Sequence, residues 1–258
     1  MKYVRDAMWK PQSDASTACH ARWLTLGAFV HPSRRRFWYV PRRREIALFV
    51  QLAQHVIGRT DPLVVDVGCG LGLMSYLLAQ EGCRVIALDA SAPALDAARA
   101  LYGDHPRITF VQGDVAELPH RWGHEADALF VSWVPPYSRW GAFLFGSDAP
   151  LVYVVGEPEA TGSASSAEMG RYVRVLSYRT PAWHEVLGWL ALLARGERPD
   201  PATALTASNQ HQLFLRADQE APPSLDLPAT VPYPWEAELD ALGLVPGTPT
   251  RDGVIWPY

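Results

Sequence analysis

The residues best placed to do chemistry lie in Val64-Val65-Asp66-Val67-Gly68-Cys69-Gly70-Leu71-Gly72. A short β-branched apolar run ends in a carboxylate and passes into a turn with glycine at alternate positions. Glycines are needed there when a ligand must press against backbone, because a Cβ would collide with it. The dinucleotide fingerprint G-x-G-x-x-G would place its third glycine at position 73, which is Leu73. The spacing Gly68, Gly70, Gly72 therefore departs from the usual dinucleotide fingerprint. Two further carboxylates follow, Asp89 after Arg84 to Leu88 and Asp114 after Ile108 to Val111. Each ends an apolar, strand-like run, so each is also a candidate helix N-cap or turn residue.

A second group is Ser132-Trp133-Val134-Pro135-Pro136-Tyr137, at the end of a fourth strand-like run, Asp127 to Val134. Its rigid Pro-Pro turn sits between two aromatic side chains suited to stacking on a planar molecule. Val-Val-Gly-Glu closes a fifth run and places Glu157 on the same edge, as a proton acceptor or as an attractor of cations. His31, His184 and His211 are further candidate bases. No histidine, cysteine or carboxylate spacing suggests a metal site, and Cys19, Cys69 and Cys83 lack a C-x-x-C pattern.

The elements that must position these residues alternate. Between Arg43 and Gly58, apolar residues at spacings of three and four predict an amphipathic helix. Strands follow at Leu63–Val67, Arg84–Leu88, Ile108–Val111, Asp127–Val134 and Leu151–Gly156, with helices over Leu71–Gly82 and from a Ser91 cap to Tyr102. Tyr172–Tyr178 and His211–Arg216 read as two more strands around an apolar helix, Trp183–Arg195. This order predicts an α/β fold, a doubly wound, mostly parallel seven-stranded Rossmann-like sheet with helices on both faces and an N-terminal helical extension. Ligands of such sheets bind at the carboxyl ends of the strands, where the residues named above fall.

The glycine loop resembles motif I of the class I S-adenosylmethionine (SAM)-dependent methyltransferases. That resemblance implies SAM as co-substrate and no metal. It places Asp66, Gly68, Cys69, Gly70 and Gly72 around the methionine and ribose parts, Asp89 and Ala90 at the ribose hydroxyls, Asp114 and Val115 at the adenine, and Ser132 beside the donor. Ser132 to Tyr137 is similar to the (Asn/Asp/Ser)-Pro-Pro-(Tyr/Phe/Trp) motif of methyltransferases acting on amino groups. Val134 stands at that motif's first position and cannot accept a hydrogen bond, so amino specificity does not carry over. Trp133, Tyr137 and Glu157 are then the residues facing the acceptor.

Residues 1–42 form an aromatic- and arginine-rich extension expected to close over a substrate, residues 43–217 the SAM-binding domain, and residues 218–258 a proline-rich tail. Arg34 to Arg36 and Arg42 to Arg44 flank Phe37, Trp38 and Tyr39, which suits either a solvated face around an aromatic anchor or a docking surface for RNA or protein. A formal net charge of -4 gives no whole-chain reason to bind nucleic acid. No apolar run approaches the roughly 18 to 20 residues of a membrane span, and no secretory h-region opens the chain, so a cytoplasmic location is expected. The expected activity is methylation of an N or O nucleophile on a small, partly aromatic metabolite of bacterial specialised biosynthesis. The alternatives are a macromolecular acceptor, or SAM binding without methylation. Oligomeric state has no sequence signal.

Overall fold

The computed structural model describes residues 41, 43–133, 139–156, 166–180 and 209–221. In chain order these form α1 (Arg43–Ile57), β1 (Leu63–Val67), α2 (Leu73–Gln80), β2 (Arg84–Asp89), α3 (Ala92–Tyr102), β3 (Ile108–Gln112), α4 (Leu118–Arg121), β4 (Ala128–Ser132), α5 (Trp140–Phe145), β5 (Leu151–Gly156), α6 (Ser166–Met169), β6 (Tyr172–Thr180) and β7 (Asn209–Arg216). The strands make one sheet in the order β3-β2-β1-β4-β5-β7-β6. β1 pairs parallel with both β2 and β4, β2 pairs parallel with β3, and β4 with β5. β7 runs antiparallel to β5, with Val155 opposite His211. The expected mostly parallel, seven-stranded α/β sheet is therefore the observed one.

Alternation along each strand divides the core in two. Val64 joins Phe49 and Leu52 of α1 and Leu78 of α2 on one face, whereas Val65 and Val67 join Leu118, Leu144 and Phe145 of α4 and α5 on the other. Asp66, next in phase with Val64, thus faces α2. The helix expected from Arg43 to Gly58 ends at Ile57, where Gly58 turns out at φ 70°. Ser91 caps α3 as its sequence position implies, its Oγ accepting from Ala94 N at 3.4 Å.

One strand is shorter than its apolar pattern. β4 begins at Ala128 and ends at Ser132, because Asp127 turns its carboxylate to accept from Leu63 N at 2.6 Å and Trp133 swings to φ 52°. A tryptophan in the left-handed region costs roughly 1 kcal/mol or more, and such strain persists only where surrounding contacts fix it. Here the Trp133 N–H donates to Val155 O at 2.7 Å and its indole Nε1 donates to Asn209 Oδ1 at 3.2 Å.

The chain divides into two compact units. Residues 37–178 and 209–228 carry the sheet, apart from the last two residues of β6. The other unit draws on residues 1–36, 179–208 and 229–258. The expected N-terminal helical extension, the Trp183–Arg195 helix and the proline-rich tail beyond Ala221 lie outside the described residues.

Candidate functional site

β1 delivers Asp66 to the carboxyl edge and the chain then turns through three glycines, at φ 72°, 54° and 78° for Gly68, Gly70 and Gly72. These values are in the left-handed region that β-carbons disfavour. Two of the glycines do different work. A Cβ on Gly68 would lie 2.8 Å from Cη2 of Trp140, so its bareness admits the tryptophan that opens α5. Among the described residues, a Cβ on Gly70 would meet nothing within 4 Å. Gly70 is therefore open on the side where a ligand would lie.

The turn is held from β2. Leu88 O accepts from both Gly68 N and Cys69 N, at 2.8 and 3.0 Å. The Asp89 carboxylate then takes Gly70 N on Oδ2 and Ser91 N on Oδ1, each at 2.8 Å. One side chain so fixes the glycine loop and the entry to α3. An ionised carboxylate has about four acceptor positions, so the two bonds to backbone leave capacity for others.

Asp66 is 2% exposed and its Oδ2 accepts from Ser75 Oγ of α2 at 2.5 Å. Burial pushes its carboxyl up to about 7, Ser75 opposes the rise and the nearby Asp89 charge adds to it. The Cys69 thiol is likewise raised, mainly by burial and then by the Asp66 and Asp89 charges. The Asp66 shift has a direct consequence. Because the folded value lies above the ordinary value of 3.8, its contribution to stability is complete below about pH 4 and is lost as pH rises through 7. Between pH 5 and pH 8 the protein should lose about 2 to 3 kcal/mol from this group alone. Urea unfolding of wild type and Asp66→Asn at the two pH values checks this: the variant, which keeps an oxygen for Ser75, should show a difference smaller by that amount.

The third carboxylate does what its N-cap reading proposes. Asp114 Oδ1 accepts from Ala116 N at 2.8 Å, and Glu117 returns a bond to Asp114 N, closing a capping box around the short 3₁₀ turn Val115–Glu117. Gly113 N donates to Asp89 O at 3.1 Å, which draws this turn beside the glycine loop. Ala90 is exposed, with its carbonyl accepting from Gln112 Nε2 at 3.4 Å, and Val115 is half-buried against the core.

Across β1, the carboxyl edge continues with Ser132, opposite Val155, and the strained Trp133. Val134, Pro135, Pro136, Tyr137 and Glu157 lie outside the described residues, as do His31 and His184. His211 is fully buried on β7. Its Nδ1 lies 2.6 Å from Tyr153 Oη and its Nε2 3.4 Å from Glu45 Oε1.

Ser75, Trp140, Asn209, Glu45 and Tyr153 are contributors that periodicity alone leaves out. The available signal was weak: a serine inside the apolar run Leu73–Leu78, a tyrosine within Leu151–Gly156, and a glutamate on the first turn of an amphipathic helix.

Residues 64–140 match the family described as methyltransferase domain. A cypemycin N-terminal methyltransferase of a Streptomyces species is 44% identical over 61 residues, 24% of this chain and 23% of that protein. A ubiquinone biosynthesis O-methyltransferase of Erwinia tasmaniensis is 37% identical over 79 residues, 30% of this chain and 32% of that protein. A release factor glutamine methyltransferase of Chlorobaculum tepidum is 34% identical over 140 residues, 52% of this chain and 41% of that protein. The chain thus spans less than half the length of these relatives. Residues 64–140 are also the ones that build the glycine loop, its Asp89 clamp and the Asp66–Ser75 pair, so it is this segment that is similar to a methyltransferase domain.

Proposed function

We propose that the protein transfers a methyl group from SAM to an N or O nucleophile of a small, partly aromatic metabolite, in the specialised biosynthesis of a bacterium and in its cytoplasm. The observation that carries the donor half is the Asp89 carboxylate, which ties the loop that carries Gly70 through one oxygen and the entry to α3 through the other. Bound SAM supplies an electrophilic methyl on a sulfonium, and the site fits so cationic a group: Asp66 is a buried carboxyl raised to about 7, which a neighbouring cation would ionise. Asp66, Gly68, Cys69, Gly70 and Gly72 would hold the methionine and ribose parts. Asp89 and Ala90 would take the ribose hydroxyls on the acceptor capacity left by the backbone bonds, with Asp114 and Val115 at the adenine and Ser132 beside the donor.

The chain's own task in such a reaction is to align nucleophile and methyl and to exclude water. Trp133, fixed from Val155 and Asn209, offers an aromatic wall at the β4 end of the edge. Tyr137 would stack on a planar acceptor, and Glu157 would receive its proton or attract a cationic one. The extension 1–42 would close over the domain 43–217, with 218–258 as a tail along it. Incubating the protein with SAM carrying a radiolabelled methyl and with fractionated bacterial extracts should label a low-molecular-weight product. Label confined to RNA or protein would replace this reading with docking on Arg34 to Arg44, a reading favoured by the release factor glutamine methyltransferase among the relatives. SAM binding without S-adenosylhomocysteine formation would leave a non-methylating SAM-binding protein.

A further inference from the structure

The glycine loop has few hydrogen-bond donors to offer a ligand. Leu88 O engages Gly68 N and Cys69 N, the Asp89 carboxylate engages Gly70 N, and Cys69 O engages Gly72 N at 2.9 Å. Four of the five N–H groups from Gly68 to Gly72 are thus turned to protein acceptors. The polar side chains that end β1 and β2 beside them, Asp66 and Asp89, are carboxyl groups, which only accept when ionised. Such surroundings suit the sulfonium and the ammonium of SAM. The carboxylate at the methionine end of the same molecule is the opposite case, because it needs donors and is repelled by like charge.

Donors of the right kind come from the residues that lead into α5. Cη2, Cζ3 and Cζ2 of Trp140 would lie 2.8, 3.4 and 3.9 Å from a Cβ on Gly68, so the six-membered ring of the indole rests on the loop. The five-membered ring, with its N–H, is the end turned away from Gly68. Gly68 is exposed and Trp140 half-buried, its ring packed against the core that holds Val67, Leu144 and Phe145. The residue before it, Arg139, is exposed. Among the described residues neither Arg139 nor Trp140 has a hydrogen-bond or ion-pair partner. Ser132 also ends beside Gly68, since Val131 pairs with Val67, but a hydroxyl both donates and accepts and so selects no charge.

We propose that Arg139 and Trp140 form the carboxylate-binding part of the donor site and hold the methionine end of SAM. This rests on the SAM reading of the glycine loop. The guanidinium brings a permanent positive charge and a fork of N–H groups that matches a carboxylate. The indole N–H, which can only donate, adds a bond that an anion can use and a cation cannot. With its six-membered ring seated on Gly68 and its flank on the core, the indole presents that N–H from a fixed position relative to the loop. The bareness of Gly68 then serves binding as well as packing, because the ring that carries the donor occupies the place of the missing Cβ. The amino-acid end of the ligand is divided accordingly, its ammonium toward the acidic strand ends and its carboxylate toward Arg139 and Trp140.

Calorimetric titration of the full chain with two ligands tests this without any turnover. One is S-adenosylhomocysteine, and the other is its decarboxylated analogue, in which hydrogen replaces the α-carboxylate and the ammonium is kept. Trp140→Phe keeps a ring for Gly68 and loses the N–H, and Arg139→Gln loses the charge. Each should weaken S-adenosylhomocysteine binding about 10-fold, the scale of one hydrogen bond to a charged group. Each should bind the decarboxylated analogue within about twofold of wild type, a selectivity that a role confined to the shape of the loop would not produce. If Trp140→Phe does not fold, Arg139→Gln, a change at an exposed position, carries the test. Wild-type affinity for S-adenosylhomocysteine in both variants, or equal losses with the two ligands, overturns the carboxylate site alone. A wild-type chain that binds neither S-adenosylhomocysteine nor SAM overturns the site and the SAM reading together.

Discussion

Replacing Asp89 with alanine should reduce the affinity for SAM at least 100-fold while leaving a folded protein. Gly70 N and Ser91 N each lose a charged acceptor at 2.8 Å. Hydrogen bonds to a charged group are worth about 1.5 to 3 kcal/mol each, and a 100-fold loss of affinity needs about 2.7 kcal/mol. The loss exceeds that of one ribose contact, because the same carboxylate shapes the loop before any ligand arrives. Asp89→Asn should fall between the two, since its amide keeps one acceptor oxygen and turns a donor toward the second N–H. Removing the Asp89 charge also takes away one of the influences that raise Asp66, so the Asp66 carboxyl should titrate lower in Asp89→Ala than in wild type. Calorimetric titration with S-adenosylhomocysteine measures the first effect, and the pH dependence of unfolding measures the second. Wild-type affinity in Asp89→Ala would remove Asp89 from the site.

Gly68→Val should be the most damaging single change to stability, by about 3 kcal/mol or more and about 10 °C in Tm. Two costs add. A β-branched residue at φ 72° is strained by itself, and its Cβ would lie 2.8 Å from Cη2 of Trp140. The ring belongs to α5, which packs Leu144 and Phe145 into the core, so moving it disturbs that packing. Gly70→Ala provides the contrast. Its φ of 54° costs about 1 kcal/mol, and no atom of the described residues lies within 4 Å of the added Cβ, yet it should weaken SAM binding more than it weakens the fold. Thermal melts with and without S-adenosylhomocysteine separate the two. Equal stability losses in Gly68→Val and Gly70→Ala would show that the loop distinguishes them in no such way.

Local sequence determined much of this molecule. Short apolar runs, punctuated by glycine and aspartate, define β1, β2, β4 and β5, since a strand buried on both faces needs continuous apolar character. The glycine spacing and the strand-end positions of Asp66, Asp89 and Asp114 were legible because a turn between a strand and a helix is a local structure with local chemical requirements. Ser91 announced itself as a cap for the same reason. Only the tertiary structure decided what each of these residues does. Asp66 is a carboxyl raised by burial in the assembled core, with Ser75 of α2 opposing the rise, and Gly68 is bare for Trp140, which lies 72 residues further along the chain. The Glu45–His211 contact joins α1 to β7, a packing that no period in the sequence encodes. Periodicity reports which face of an element is buried, whereas the partner that meets that face comes from a distant segment and is fixed only when the sheet assembles.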